Sequence, residues 1–169
     1  MPVLVKEVML KVPDVVTISN KATIGEAVEM FATKEVGCMP MLDERGNLVG
    51  FLTDGDIVYY VVNRLRLMQT IGENYKSRYP DPRHSNYFSM LLKHCTNEPA
   101  YDAASHRVVT IGEDDTVRRA TELMHKKSIK DIPVLDENHK LVGLITHNDI
   151  IMGLFNEYLE DPEAVCIDF

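Results

Sequence analysis

The chain has 169 residues, room for one or two small domains, and its 45% hydrophobic and 26% charged content is that of an ordinary globular protein. A formal net charge of -8 argues against nonspecific nucleic-acid binding, which needs a basic face, but leaves room for a small anion held by local groups. No apolar run approaches the ~20 residues of a membrane span, no basic region precedes a long apolar stretch at the N-terminus, and Cys38, Cys95 and Cys166 lack CxxC spacing and read as free thiols of a reducing, cytoplasmic compartment.

In chain order, the β-branched Val15-Val16-Thr17-Ile18 reads as a strand. Thr23 opens a helix, with Glu26 three residues on completing a capping box. Ile24, Ala27, Val28 and Phe31 give that helix one apolar stripe. Val36 to Leu42 reads as a second strand, Asp43 to Asn47 as a polar turn, and Leu48 to Leu52 as a third strand apolar enough for burial on both faces. Thr53 opens a second helix through Ile57, Tyr60, Val61 and Leu65, continuing to Gly72.

The stretch Glu73 to Asn86 is the most basic and aromatic of an acidic chain, with Tyr75, Lys76, Arg78, Tyr79, Arg83 and His84 interrupted by Pro80 and Pro82. It suits a solvated loop, or a lid that brings Arg78, Arg83 or His84 to a phosphate. Ser85 to Cys95 looks helical, with Phe88, Leu91 and Leu92 on its apolar face. The strand–helix–strand–strand–helix order then returns: Val117, Ala120 and Met124 stripe the helix, Asp136 to Lys140 form the turn, and Thr146 opens the last helix. Residues 161–169 form an acidic tail.

This return is an internal repeat. Val15 to Ile57 and Val108 to Ile150 align without a gap at an offset of 93, and 18 of the 43 pairs are identical. The expected division is residues 1–72 (lead-in 1–14, repeat core 15–57, helix to 72), a linker at 73–86, residues 87–160 (core 108–150) and the tail. A βαββα unit of ~55 residues buries too little surface to be secure alone. The expected fold is therefore α/β (α+β), two βαββα repeats packed through their sheets with pseudo-twofold symmetry and two related crevices between them.

The pattern V-V-T-I, helix, then an apolar-Pro-apolar strand, Asp-Glu, L-V-G and T-x-x-D-I resembles the cystathionine-β-synthase (CBS) domain, and the pair resembles a Bateman module. The resemblance covers most of the chain and both copies carry it. It implies a stand-alone regulatory module, often a homodimer, that binds an adenosine-type ligand (AMP, ADP, ATP or S-adenosylmethionine) and signals by changing shape to a regulated protein partner, with no cofactor required. Through Gly50 to Asp56 and Gly143 to Asp149 it implies that Asp56 and Asp149 hold ribose and that Thr53 and Thr146 meet phosphate. An ionised carboxylate suits paired hydroxyls, and a helix N-terminus suits an anion. Thr17 and Thr110 would line the same crevices, and Met39, Pro40, Ile132 and Pro133 would flank the base, with Cys38 and Asp131 just before them.

Two features pull the other way. Thr-x-x-Asp at a helix start is also a capping box, a device worth about 1 kcal/mol. The cation that many relatives carry before the motif aspartate is replaced by Gly55 and Asn148, although Lys130 offers a charge to the second site. A structural dimerisation module with empty crevices therefore stands as the alternative. The six histidines show no metal-ligand spacing and no catalytic motif is present, which disfavours an enzyme.

Overall fold

The computed structural model describes residues 2–71 and 93–160. A one-turn helix α1 (Val5–Val8) and a two-residue strand β1 (Leu10–Lys11) lead in. The first repeat follows as β2 (Ile18–Ser19), α2 (Ile24–Lys34), β3 (Cys38–Leu42), β4 (Leu48–Thr53) and α3 (Asp54–Ile71). A 3-10 turn at Ala100–Asp102 precedes the second: β5 (Ile111–Gly112), α4 (Val117–Lys127), β6 (Asp131–Leu135), β7 (Leu141–Thr146) and α5 (His147–Glu160). Within each repeat the first strand pairs parallel with the second, and the second antiparallel with the third.

Local chemistry sets the boundaries. Thr23 caps α2 as the spacing predicts: its Oγ1 accepts from the Glu26 amide at 3.2 Å while the Glu26 carboxylate accepts from the Thr23 amide at 2.8 Å. Thr116 caps α4 without a returning bond, its Oγ1 accepting from the Arg119 amide at 3.2 Å. Both helices end on a left-handed residue, Glu35 and Ser128. In the two turns Asp43 and Asp136 each accept two backbone amides on Oδ1. The turn position that needs positive φ is Gly46 in one copy and His139 in the other.

The opening strands are shorter than expected. Ile18 and Ser19 pair with Met41 and Leu42, whereas Val15, Val16 and Thr17 have no strand partner, so β-branching there builds no ladder. On β4 only Gly50 and Leu52 are buried, an alternation in place of burial on both faces.

The compact units are not contiguous in sequence, unlike the expected division at 1–72 and 87–160. Residues 2–15 belong with the described part of the second repeat, and the described part of Val16–Val108 forms the other unit. Pairing explains this. β1 lies antiparallel on β7, Leu10 opposite Leu144 and Lys11 opposite Gly143, giving a four-stranded sheet β1-β7-β6-β5. The Val117 amide donates to Val3, and the Val5 amide to Asp115. Val5 and Met9 fill the core with Ile111, Val117, Met124, Ile132, Val134 and Ile145. Reciprocally, Ser105 exchanges two backbone hydrogen bonds of 2.9 Å with Phe51 on β4, beside the three-stranded sheet β2-β3-β4. Cys95, Ala100 and Ala104 complete the core of Ile18, Ile24, Met39, Met41, Leu52 and Val61. Each repeat is finished by the segment that precedes the other. Arg78, Arg83 and His84, most of the helix expected over Ser85 to Cys95, and the tail lie outside the described residues.

Candidate functional site

In both repeats the third strand runs directly into a helix, and the junction is a Thr–Asp box. Asp56 Oδ2 accepts from the Thr53 amide at 2.9 Å and from Thr53 Oγ1 at 2.7 Å, while Thr53 Oγ1 accepts from the Asp56 amide at 3.1 Å. The second copy reproduces this: Asp149 Oδ2 accepts from the Thr146 amide and hydroxyl, each at 2.8 Å, and Thr146 Oγ1 accepts from the Asp149 amide at 3.2 Å. The capping reading of Thr-x-x-Asp is thus realised, and each carboxylate places one oxygen on its own main chain. Among the described residues no protein donor meets either Oδ1. Thr53, Asp56, Thr146 and Asp149 are all half-buried. The box also lodges a negative charge at the positive end of each helix.

Strand register decides what stands beside each box. Cys38 lies opposite Thr53, and Asp131 opposite Thr146. The Gly37 carbonyl accepts from the Asp54 amide and the Lys130 carbonyl from the His147 amide, both at 3.1 Å. The Lys130 side chain is exposed and pairs with no carboxylate among the described residues. Met39, Pro40, Ile132 and Pro133 are fully buried, packed into the cores behind the junctions. Thr17 and Thr110 are half-buried just before β2 and β5, and neither hydroxyl bonds to a box among the described residues. Asp54, Gly55, Val58, Tyr59 and Val62 line a shallow hollow of about 470 Å³ along the start of α3. The described residues contain no group of three or more His, Cys, Asp or Glu placed to hold a metal.

One polar cluster gave no signal in the sequence. Glu98 accepts from Tyr60 Oη at 2.8 Å and from Arg64 Nε at 3.1 Å, and the Arg64 guanidinium stands 5.9 Å from the Tyr60 ring centre. Burial of Glu98 opposes its ionisation, but the hydrogen bonds from Arg64 and Tyr60 and the Arg64 charge prevail, so its carboxyl titrates below the usual carboxylate range. The Tyr60 phenol is pushed up to about 12, first by burial and then by the hydrogen bond to Glu98 and its charge. Burial, with Glu98 nearby, also raises the Cys95 thiol.

Outside the junctions, the last helix of each repeat carries apolar side chains in solvent, and Val58 and Tyr59 recur at the repeat offset as Ile151 and Met152. Val58 and Tyr59 on α3 and Ile151, Met152 and Phe155 on α5 are exposed, Tyr59 by 71% and Ile151 by 63%. No helix among the described residues is long and apolar enough to cross a membrane.

A sequence profile of the CBS domain matches residues 5–63 and 100–156. An uncharacterized protein of Methanocaldococcus jannaschii is 28% identical over 155 residues, spanning 89% of this chain and 90% of its own length. Among solved structures, CBSX2 in complex with AMP superposes with a TM-score of 0.69 at 17% identity, over 92% of this chain and 98% of that one. The domain pair of protein MJ0100, solved with 5-methylthioadenosine and S-adenosyl-L-methionine, superposes with a TM-score of 0.64 at 25% identity, over 93% and 98%.

Proposed function

The chain belongs to the CBS-domain family, and from that premise we propose that it is a regulatory module, not an enzyme, that binds an adenosine-type ligand at its two Thr–Asp junctions and passes the change in shape to a protein partner. The observation that carries this reading is the repeated box. Two copies hold a carboxylate at a helix start with Oδ2 fixed by its own cap, and among the described residues Oδ1 meets no protein donor, leaving it to a ribose hydroxyl in this reading. The cap fixes the carboxylate in advance, so less freedom is lost when a ligand arrives. Thr53 and Thr146, the proposed phosphate contacts, would have to release the hydroxyl bonds they make to Asp56 and Asp149, and Met39, Pro40, Ile132 and Pro133 supply the apolar ground behind each junction. Thr17, Thr110 and Lys130 complete the proposed ligand set, with Arg78, Arg83 and His84 as its lid. The complexes of CBSX2 with AMP and of MJ0100 with S-adenosyl-L-methionine support the ligand class.

A thermal-shift series with AMP, ADP, ATP and S-adenosylmethionine tests it. Ligand at 100 times its Kd adds about 2.7 kcal/mol, or roughly 5 °C or more for a chain of this size. Asp56→Asn with Asp149→Asn keeps an acceptor for each cap but removes both charges. The ligand shift should vanish while the unliganded Tm stays close to wild type. A shift retained in full by the double variant would refute the assignment.

The module is also proposed to be a homodimer. On each of α3 and α5, exposed apolar side chains, with Val58 and Tyr59 recurring as Ile151 and Met152, are what a second copy would cover. Sedimentation of Tyr59→Lys with Ile151→Lys should give a monomer where wild type gives a dimer. A monomeric wild type would reject the dimer and leave the ligand reading standing.

A further inference from the structure

We propose that Glu98 is a positioning residue for the ligand site of the first repeat, fixing the helix that carries Asp56 through two side chains that the second repeat does not carry. This rests on the ligand reading above.

Asp56, Tyr60 and Arg64 follow one another at intervals of four on α3, so they lie along one side of the helix, a turn apart. Glu98 grips the lower two of the three. Its own backbone is tied to the N-terminus of α2: the Glu98 carbonyl accepts from the Ile24 amide at 2.8 Å and the Thr96 carbonyl from the Gly25 amide at 2.9 Å. The fit there is close, since a Cβ at Gly25 would lie 3.1 Å from the Thr96 carbonyl oxygen. The Ala100 amide donates to the Ala22 carbonyl on the far side of the cap. Glu98 therefore clamps α3 to the start of α2, and the clamp runs through charge-assisted hydrogen bonds, the stronger kind.

The second repeat is built differently at the same places. At the offset of 93, Tyr60 becomes Gly153 and Arg64 becomes Glu157, so the phenol and guanidinium that bind Glu98 have no counterparts. Val8 packs there instead, so closely that a Cβ on Gly153 would stand 2.6 Å from Val8 Cγ1. Arg118 replaces Gly25. A directional ionic clamp under one junction and an apolar contact under the other make the two boxes unequal in how firmly their helices are held.

The test is a site-resolved titration of wild type and Glu98→Ala with AMP, read by the amide cross-peaks of Gly55 and Asn148, one beside each box. Substitutions that act without touching a ligand shift coupling by about 2- to 30-fold. The Kd reported at Gly55 should rise within that range, and the Kd at Asn148 should stay within about twofold of wild type. Glu98→Gln keeps an acceptor for Tyr60 and should restore part of the loss. An unchanged Kd at Gly55, or equal losses at both peaks as general destabilisation would give, overturns the positioning role while the ligand reading survives. No response at either peak of the wild type to AMP, ADP, ATP or S-adenosylmethionine removes both.

Discussion

Gly143 is the position where the exchange of lead-in segments is most exposed to test. A Cβ added there would stand 2.4 Å from Met9 Sδ and 2.7 Å from the Leu10 carbonyl oxygen. The methionine end can swing away, but the carbonyl belongs to β1, and Lys11 is the register partner of Gly143 itself. The corresponding Gly50 has only ordinary contacts, the nearest being Met41 Cβ and Sδ at 3.4 Å. Gly143→Ala should therefore cost about 1–3 kcal/mol as overpacking. Gly50→Ala should be neutral or stabilising by up to about 1 kcal/mol, because alanine loses less freedom than glycine in a strand. If β1 instead lets go, burial of Val5 and Met9, worth about 1.5–3 kcal/mol each, is forfeited, and Lys6 and Lys11 become sites for trypsin. Urea unfolding with limited trypsinolysis reads both outcomes: a lower midpoint and early loss of the N-terminal segment for Gly143→Ala, neither for Gly50→Ala. Equal midpoints for the two variants would refute the docking of β1 on β7.

Other perturbations follow from single contacts. Gly46 sits at φ +74 with nothing within 4 Å of its absent Cβ, so Gly46→Ala isolates backbone strain and should lose about 1–2 kcal/mol in chemical denaturation. His139→Gly should gain less than that, since glycine's freedom in the unfolded chain offsets relief of the strained turn. The raised phenol of Tyr60 stabilises the folded chain fully below pH ~10 and loses that contribution as pH climbs towards about 12. The stability gap between wild type and Tyr60→Phe, followed by circular dichroism, should close over that interval. The lowered carboxyl of Glu98 acts at the other end, where its contribution is present above the unfolded carboxylate pKa and fades as acid protonates it. Glu98→Gln should therefore flatten the acid limb of the stability curve, and an unaltered limb would dissociate Glu98 from acid sensitivity.

Where a signal was local, the sequence was readable. Thr23 with Glu26, and Asp43 with its turn, carry their own partners within a few residues, and both form as expected. The repeat itself gave the order of elements in both copies. Val15 to Thr17 misled because β-branching measures fitness for a strand, and no neighbouring strand is there to pair. The docking of Leu10 on Leu144 has no local trace, since a two-residue strand shows no alternation. Glu98 was silent for the same reason, its partners lying 34 and 38 positions away. The Thr–Asp junction was legible as a place but ambiguous in orientation, because one spacing serves a helix cap and a ligand contact alike.

The swapped lead-in segments set a timetable for synthesis. Lys6 and Asp114, joined in the folded chain, are 108 positions apart, so at the ribosome's pace of about 5–20 residues per second the N-terminal residues wait roughly 5–20 s for the walls that receive them. Throughout that delay Val5 and Met9 are solvent-facing apolar side chains on a nascent polypeptide. The oldest part of the molecule is among the last to find its place, and a release or pause between the two repeats would strand it.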